Sequence, residues 1–383
     1  MLKKSILSFV LSAVIVLLPV TAFAVGDGDI VLSAKSAVAY SPLTRETVYE
    51  KNCHEHMPMA STTKIMTALI VYEKLGVDAE VSITEADSQT EGSASGLKPG
   101  DTVSSGDLIY CMLLPSGNDA ANAGARVVSG SIDAFAQLMN EKARKIGMND
   151  THFVTPSGLD APEHYSSAYD MALLASYALE NNFLKEVFSS VTHTVETKQG
   201  IKYYLTNHNR LLKSIEGCCG VKTGFTKKSG RCLVSATQRD SLSLIVVTLN
   251  APDDWNDHKT LIENAFESVY TLNSQKAEIN IKVTGSDAKN VCASAQIPEI
   301  KTFTDISQDI SVRIIAQRFL YAPVDETVVC GKAQLIYKNR IIYSSNLYSR
   351  TPANVKRITE ENRETRKSGF IKYLTDKFNK LSR

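Results

Sequence analysis

Several features are scarce or missing in this 383-residue sequence, and each absence excludes a class of protein. No Cys-x-x-Cys pair occurs among the seven cysteines, so neither a thioredoxin-type motif nor a zinc ribbon is indicated. Neither sign of charge prevails, since 42 basic side chains face 41 acidic ones, and nothing in the balance argues for nucleic-acid binding. Disorder is excluded by composition, because 43% of the residues are hydrophobic and 22% are charged.

One apolar run stands near the N-terminus. Two lysines precede the stretch from Ile6 to Leu18, and Ala22-Phe23-Ala24 follows it with the small-x-small pattern of a cleavage site. The run is shorter than the about 20 apolar residues that a membrane-spanning helix needs. Residues 1–24 are therefore predicted to be a secretory signal peptide, with an uncleaved membrane anchor as the alternative. Without them 40 basic and 41 acidic side chains remain, a net charge of −1.

The seven cysteines all lie after this segment, where export would permit disulfides. Their odd number leaves at least one thiol free. Most are expected to be small, buried and inert, and Cys292–Cys330 is the pair to test first for a bond.

The length allows two domains, and the pattern of residues 25–275 predicts an α+β unit in which one sheet is packed with helices. Helices are expected from Ser61 to Leu75 with Gly76 as its stop, from about Asn118, over Ile132–Ile146, over 167–180 and over 260–270. Strands are expected over 30–40, 47–50, 188–194, 202–205, 232–238 and 242–249. Ile65, Leu69 and Tyr72 are predicted to line the buried face of the first helix.

The remaining chain reads differently. Residues 276–349 alternate as short strands with Lys338-Asn339 as a hairpin tip, so a small all-β domain is predicted. Residues 350–383 are interpreted as a linker and a basic amphipathic helix, since seven basic residues from Arg363 onward face only Glu364 and Asp376. Such a helix fits a membrane-surface anchor, and a docked helix or frayed terminus is the alternative.

A serine three positions before a lysine opens the first predicted helix. Ser61 and Lys64 share a helix face, so the hydroxyl and the amine can meet. A neutral lysine can take the proton of a serine nucleophile, but only where burial or a second cation lowers its pKa. The same spacing occurs at Ser95/Lys98 and Ser286/Lys289, where neighbouring Gly or Pro predicts solvated turns.

Two later motifs single out the first pair. Ser116-Gly117-Asn118 and Lys222-Thr223-Gly224 follow Ser61-Thr62-Thr63-Lys64 in order, and together they supply what acyl transfer needs. Ser61 is the predicted nucleophile and Lys64 the general base, kept neutral by burial and Lys222. Ser116 would relay a proton to the leaving amine, Asn118 would hold a substrate peptide group, and Lys222 and Thr223 would bind a terminal carboxylate. Gly224 lets substrate lie against a sheet edge, and the amides of Ser61 and Phe225 would form the oxyanion hole.

These motifs make the sequence resemble the penicillin-binding serine peptidases, and more closely the low-molecular-mass D-alanyl-D-alanine carboxypeptidases. The resemblance covers nearly all of the mature chain and includes Leu114–Ala121, Met139–Ala143, Thr155–Asp160, Tyr169–Ala172 and Val221–Thr226. It implies a transpeptidase-like catalytic domain with an antiparallel sheet, then a β-rich domain and a membrane-surface helix. It further implies removal of the terminal D-Ala of peptidoglycan pentapeptides through an acyl-serine, covalent trapping by β-lactams, no metal or other cofactor, and a place at the outer face of the membrane or in the cell wall.

Two departures stand out. Phe225 follows the Lys-Thr-Gly motif where many relatives carry His, so only its backbone role survives. Between the motif and Trp255 no arginine obviously matches the one that holds substrate carboxylate in some relatives. Arg210 and Lys227 are interpreted as structural or solvated.

Four alternatives stay open. A class A β-lactamase usually carries Ser-Asp-Asn and a Glu-x-x-Leu-Asn loop, which are absent here. Endopeptidase activity on cross-links is compatible with the motifs, and a non-catalytic wall-binding protein would keep the fold. A metal-dependent carboxypeptidase would need ligands such as His54-Glu55-His56, but alternate residues of a strand face opposite sides and no third ligand has a useful spacing.

Overall fold

The computed structural model of the protein describes residues 30–356, 368–374 and 377. Helices run over α1 Lys64–Leu75, α2 Glu85–Ser88, α3 Ser105–Leu113, α4 Asn118–Ser129, α5 Ile132–Ile146, α6 Ala168–Leu179, α7 Asn182–Ser189, α8 Leu211–Ser214 and α9 Asp254–Glu267. A 3-10 turn, Ala60–Thr63, leads directly into α1. Residues 368–374 are also helical.

The strands form two main sheets. Those of the first part are β1 Ser36–Ser41, β2 Glu46–Lys51, β3 Glu80–Ser82, β4 Thr102–Ser104, β5 Thr192–Glu196, β6 Lys202–Thr206, β7 Cys218–Thr226, β8 Gly230–Arg239 and β9 Leu242–Leu249. Those of the second part are β10 Tyr270–Leu272, β11 Gln275–Thr284, β12 Asn290–Ile297, β13 Ile300–Thr302, β14 Ile310–Ala316, β15 Phe319–Tyr321, β16 Val329–Tyr337 and β17 Arg340–Ser349.

The first main sheet, called the central sheet, has the order β2-β1-β9-β8-β7, and all its pairs are antiparallel. Because successive residues of a strand face opposite sides, Cys232 and Val234 join one apolar cluster and Leu233 joins another. The first cluster contains most of the helices, and the second packs under α9. Helices on both faces therefore exclude water from the middle of this sheet, and the predicted α+β architecture is confirmed.

The second main sheet, called the C-terminal sheet, has the order β14-β16-β17-β12-β11-β15. The predicted hairpin tip is confirmed, since Lys338 and Asn339 join β16 and β17 with φ values of 43° and 65°. The sheet contacts the first part of the chain at Glu46, which accepts hydrogen bonds from the Tyr337 hydroxyl (2.5 Å) and Lys338 Nζ (2.6 Å).

Most predicted elements are present, and α5 and β9 have the predicted bounds. Ile65 and Leu69 are buried and Tyr72 packs beside them, as the helical spacing predicted. The strand predicted over 188–194 is wrong in its first part, because α7 continues to Ser189. Its N-cap side chain, Asn181, accepts from Leu184 N–H, and Leu184, Val187 and Phe188 form a buried helical stripe.

Two other expectations are corrected. The first strand begins at Ser36, because the amides of Ser33 and Ala34 donate to the Asp257 carboxylate (both 2.9 Å) and not to a neighbouring strand. The helix expected to begin near Thr260 begins at Asp254.

The cysteine pair named from sequence as the first to test does not form a bond. Cys292 and Cys330 are both free, as are the other five cysteines. Their strands, β12 and β16, are separated by β17 in the sheet, whereas a disulfide needs Cα atoms within about 7 Å.

The two terminal predictions lie largely outside the described residues. This holds for the signal peptide over 1–24 and for most of the helix predicted near 363–383. Phe370 and Tyr373, inside the helical stretch 368–374, are 64% and 60% exposed. None of the helices in the described part of the chain has the length and apolar content needed to traverse a bilayer.

Candidate active site

Ser61 lies in the 3-10 turn that precedes α1, and it is partly exposed. Lys64 is the first residue of α1 and its side chain is fully buried. Lys64 Nζ lies 3.1 Å from Ser61 Oγ, 2.6 Å from Asn118 Oδ1 and 2.6 Å from the carbonyl oxygen of Ser157. Three oxygens therefore surround the amine within hydrogen-bond distance.

Burial lowers the pKa of Lys64 well below its ordinary value, and the nearby Lys222 lowers it further, whereas Asp119 opposes the shift. Lys222 is 2% exposed, and burial lowers its pKa to about 7. Its Nζ donates to the carbonyl of Thr223 (3.1 Å). The charge of each lysine is unfavourable where it lies, so proton loss at Lys64 is facilitated near neutral pH.

Ser116 lies two positions before α4 and has an unusual backbone conformation. Its φ is +65°, in the left-handed region, which costs a non-glycine residue of order 1–3 kcal/mol. The side chain is 4% exposed, and its hydroxyl has no hydrogen-bond partner among the described residues. A strained backbone and a buried unused hydroxyl are features of a functional position more than of a structural one.

Asn118 begins α4 and has both ends of its amide engaged. Its Oδ1 accepts from Lys64, and its Nδ2 donates to the carbonyl of Glu91 (2.6 Å). The side chain thus orients the Lys64 amine, and one amide hydrogen is left for a substrate.

The Lys-Thr-Gly motif lies on β7, the edge strand of the central sheet. A Cβ added to Gly224 would lie 3.0 Å from the backbone nitrogen of Ser61 and 3.1 Å from Ala60 Cβ. Only glycine lets the strand approach the Ser61 turn this closely. The three sequence motifs therefore converge at one place, and Phe225, which is 65% exposed, follows at its rim.

A cleft of about 480 Å³ opens over these residues. Its lining includes Ser61, Ser116, Thr223, Gly224, Phe225 and Trp255. Two arginines line it as well. Arg210 was interpreted from sequence as structural or solvated, and Arg231 stands between the motif and Trp255, where no arginine was recognised. Arg231 is ion-paired with the buried Asp254 (2.7 Å) and lies over the Trp255 ring.

Sequence reasoning missed three residues that hold the site. Ser157 supplies a carbonyl to Lys64, and its neighbour Gly158, with φ +84°, packs where any Cβ would lie 1.9 Å from Ala60 O. His164 Nδ1 accepts a hydrogen bond from Val154 N–H, so the ring hydrogen is on Nε2. This Nε2–H donates to Thr63 Oγ1 (3.0 Å), in the same 3-10 turn as Ser61. Burial lowers the pKa of His164 to about 4, so the ring is neutral.

Asp119 is the third. Its carboxylate accepts from the amides of Ser95 and Gly96 and from the Ser95 hydroxyl, which holds the loop before the cleft. The only sequence signal for Ser157 was its place within Pro156-Ser157-Gly158, and the only one for Asp119 was its place directly after Ser116-Gly117-Asn118.

Of the competing features, Ser286 and the pair His54 and His56 do not line this cleft. Ser95, predicted to lie in a solvated turn, is instead part-buried, and its hydroxyl donates to Asp119 (2.9 Å). Ser286 Oγ accepts from Ala288 N–H in a turn of the C-terminal sheet, as its flanking glycine indicated. His54 and His56 both face Asp150, at 2.9 Å and 3.7 Å. Within the described ranges, no group of three or more His, Cys, Asp or Glu side chains is arranged to hold a metal ion.

The model of the S11 peptidase family, described as D-alanyl-D-alanine carboxypeptidase, matches residues 23–253. The chain belongs to this family. D-alanyl-D-alanine carboxypeptidase DacF of Bacillus subtilis is 28% identical over 97% of both chains. D-alanyl-D-alanine carboxypeptidase DacA of Haemophilus influenzae is 32% identical over 75% of this chain and 77% of its own. The family predicted from the motifs is thereby confirmed.

Solved structures agree with the fold. The carboxypeptidase DacD of Francisella tularensis superposes with a TM-score of 0.61 at 25% identity, covering 88% of this chain and 97% of its own. The DD-transpeptidase of Streptomyces K15, in a mutant form, gives 0.60 at 31% identity, covering 62% of this chain and 99% of its own.

Proposed function

We propose that this enzyme removes the terminal D-Ala of peptidoglycan pentapeptides through an acyl intermediate on Ser61. Membership of the S11 family supports the activity. The observation that carries the mechanism is the position of Lys64 Nζ between Ser61 Oγ and two carbonyl-type oxygens.

A neutral lysine has two hydrogens and one lone pair. The two N–H bonds of Lys64 are directed to Asn118 Oδ1 and Ser157 O, the shorter contacts, and the lone pair then faces Ser61 Oγ. The Ser61 hydroxyl donates its proton to this lone pair as Oγ attacks the carbonyl carbon of the penultimate D-Ala. Lys64 thus becomes an ammonium with three acceptors already in place.

The attack places negative charge on the carbonyl oxygen. The amides of Ser61 and Phe225 are proposed to donate to it, since β7 passes so close to the Ser61 turn that a Cβ on Gly224 would lie 3.0 Å from Ser61 N. One such donor contributes about 10²- to 10³-fold in rate in other acyl-transfer enzymes.

The leaving D-Ala needs a proton on its nitrogen. Ser116 Oγ, buried and without a partner, is the proposed relay: it donates to the leaving amine and takes a proton from the Lys64 ammonium. The C–N bond breaks, D-Ala departs and the acyl group stays on Ser61. Water then hydrolyses this ester, with Lys64 again as the base.

The terminal carboxylate of the substrate needs cations. Lys222 and Thr223 are proposed to bind it, and Arg210 and Arg231 line the same cleft. Arg210 has no ion-pair partner in the described chain, whereas Arg231 is held by Asp254. Arg210→Gln is accordingly expected to raise KM for the peptide more than Arg231→Gln does, and equal effects would contradict this assignment.

β-Lactams are expected to acylate Ser61 by the same route and to remain attached. Among the described residues that line the cleft, the only carboxylate is Asp254, which is ion-paired with Arg231 and therefore not free to activate water as a β-lactamase requires.

Labelling with benzylpenicillin followed by peptide mass mapping tests the proposal. The intact protein should gain the mass of one penicillin, and the adduct should map to Ser61. Rapid release of penicilloate would favour the β-lactamase, and absence of any adduct together with absence of D-alanine release would favour the non-catalytic alternative.

Endopeptidase activity is a second candidate, favoured by one relative. A Pseudomonas aeruginosa protein named D-alanyl-D-alanine endopeptidase is 31% identical over 56% of this chain and 71% of its own. The ratio of kcat/KM for a cross-linked peptide dimer to that for a pentapeptide separates the two activities.

The surroundings of the enzyme are proposed from sequence. Residues 1–24 would direct export, 25–275 and 276–349 would form the catalytic and β domains, and 350–383 would hold the enzyme on the outer membrane surface. Removal of 363–383 is expected to abolish binding to anionic vesicles while leaving hydrolysis of a soluble peptide intact. Unchanged vesicle binding by the truncated protein would contradict the anchor.

A further inference from the structure

A second cleft, of about 200 Å³, lies away from Ser61. It is enclosed by the end of α6, α7, the adjoining ends of β8 and β9, and the first residue of β17. It shares no lining residue with the Ser61 cleft, and the proposed reaction uses none of its side chains. Residues from the first part of the chain and from the C-terminal sheet meet here.

The charge of this cleft is unbalanced. Arg45, Lys185 and Arg340 line it, and Glu180 is the one carboxylate, which leaves a net charge of +2. Within residues 30–356, none of these four side chains forms an ion pair. The three cations share the cleft with a single carboxylate, Glu180, so part of their mutual repulsion is left unbalanced.

Neutral contacts hold two of the cations in place. Lys185 Nζ donates to Gln238 Oε1 (3.0 Å), and Arg340 Nη1 donates to the carbonyl of Thr44 (3.5 Å). Burial lowers the pKa of Arg340, and the charge of Arg45 lowers it further. Each cation keeps N–H donors that no protein acceptor uses, so an anion would gain several charge-assisted hydrogen bonds.

We propose that this cleft binds a phosphate-type dianion, which joins the first part of the chain to the C-terminal sheet. The charge of −2 matches the cleft, and two guanidinium groups suit the oxygens of a phosphate. Arg45 and Lys185 belong to the first part of the chain and Arg340 to the C-terminal sheet, so a shared anion would stabilise the contact between the two parts.

Cys219 supplies a reporter, because it lines the cleft and is partly buried. The rate at which iodoacetamide alkylates Cys219 in the full-length enzyme is measured by peptide mass mapping. It is compared between a chloride buffer and a phosphate buffer of the same ionic strength. Phosphate at about five times its Kd is expected to slow the reaction about sixfold, as single-site occupancy requires. Cys292, partly exposed in the C-terminal sheet, is the internal reference and should react at an unchanged rate.

Arg340→Gln and Lys185→Gln should each weaken the protection, and Lys332→Gln, which removes an exposed cation outside the cleft, should not. D-alanine release without phosphate should be unchanged in all three proteins. The cations have an alternative structural role, which is to offset the partial negative charge at the end of α6. In that case the two cleft variants lower the Tm, phosphate does not raise the Tm of the wild type, and the proposal is overturned.

The source of the phosphate group is decided by three probes in the same assay. They are inorganic phosphate, glycerol 3-phosphate and vesicles of phosphatidic acid, all of which carry a phosphate or phosphate monoester that can reach a charge of about −2. Protection by one of them, lost in Arg340→Gln, supports the site and assigns its ligand. Protection by none, or equal protection in Arg340→Gln and the wild type, overturns it.

Discussion

In the first part of the chain, Lys64 and Lys222 are 0% and 2% exposed, and burial lowers the pKa of each. In the C-terminal sheet, Lys338 keeps 58% of its side chain exposed, and the Glu46 carboxylate raises its pKa. The same residue type is thus a potential base in one region and a permanent cation in the other. The charged form of a lysine is unfavourable where water is excluded, and it is favourable where a carboxylate and solvent surround the ammonium group.

The two regions differ in how much of each sheet is covered by helices, and this explains the difference between their lysines. Helices cover both faces of the central sheet, whereas the C-terminal sheet leaves large apolar side chains in water, such as Ile315 at 53% and Tyr321 at 70% exposure. Acyl transfer needs a dry place in which a lysine can be neutral, and Lys64 and Lys222 lie in such a place in the first region. Four predictions test this contrast.

The largest effect is expected for Ser61→Ala, compared with Ser286→Ala from the third Ser-x-x-Lys pair. Loss of the nucleophile should lower kcat for D-alanine release at least about 10⁴-fold, as in other serine hydrolases. Ser286→Ala should leave kcat and KM unchanged. If Ser61→Ala retained wild-type release, the acyl-serine mechanism would be wrong.

Lys64→Met is expected to lower the penicillin acylation rate about 10²- to 10⁴-fold, the range for a lost general base. Its Tm should change little, because the relief of the buried amine's desolvation offsets the loss of its hydrogen bonds to Asn118 Oδ1 and Ser157 O. The matched control is Lys289→Met, which should change neither quantity. A large fall in Tm would show that Lys64 acts through structure.

The pH dependence concerns Lys222. The kcat/KM for peptide should rise as Lys64 loses its proton and fall as Lys222 loses its own near pH 7. Because the pKa of Lys222 is about 7 in the folded protein and about 10.4 in the unfolded one, stability should be lost as pH falls between those values. Lys222→Gln should remove the alkaline limb and flatten this part of the stability profile. An unchanged alkaline limb would exclude Lys222 as its source.

Glu46→Gln should give the smallest effect, a loss of about 1–2 kcal/mol in the free energy of unfolding. Burial alone would raise the pKa of Glu46, but hydrogen bonds from Lys338, Tyr337 and Thr304 lower it. This stabilisation is therefore present above the unfolded pKa of about 4.3 and lost as pH falls below it. Urea unfolding at pH 7 and pH 3 measures it, and equal differences at both pH values would contradict the charge-based account.

Local patterns predicted much of the fold. Helical spacing with Gly147 as the stop predicted α5, and Lys338-Asn339 predicted a hairpin. The pattern failed where a distant residue decided the outcome. Ser33 and Ala34 look like strand residues, but the Asp257 carboxylate, more than 220 positions away, takes their amides. Phe188 was predicted to be in a strand, but it belongs to α7, which the Asn181 cap begins.

Residue types and their order along the chain were enough to predict the three motifs, and hence the family, because reacting side chains must be of definite types. Three features became visible only after folding: Ser157 supplies the second carbonyl to Lys64, two arginines line the cleft, and Cys292 and Cys330 stay apart. These features depend on burial and on distances between remote segments. A pKa is set by what surrounds a group in space, so no local pattern contains it.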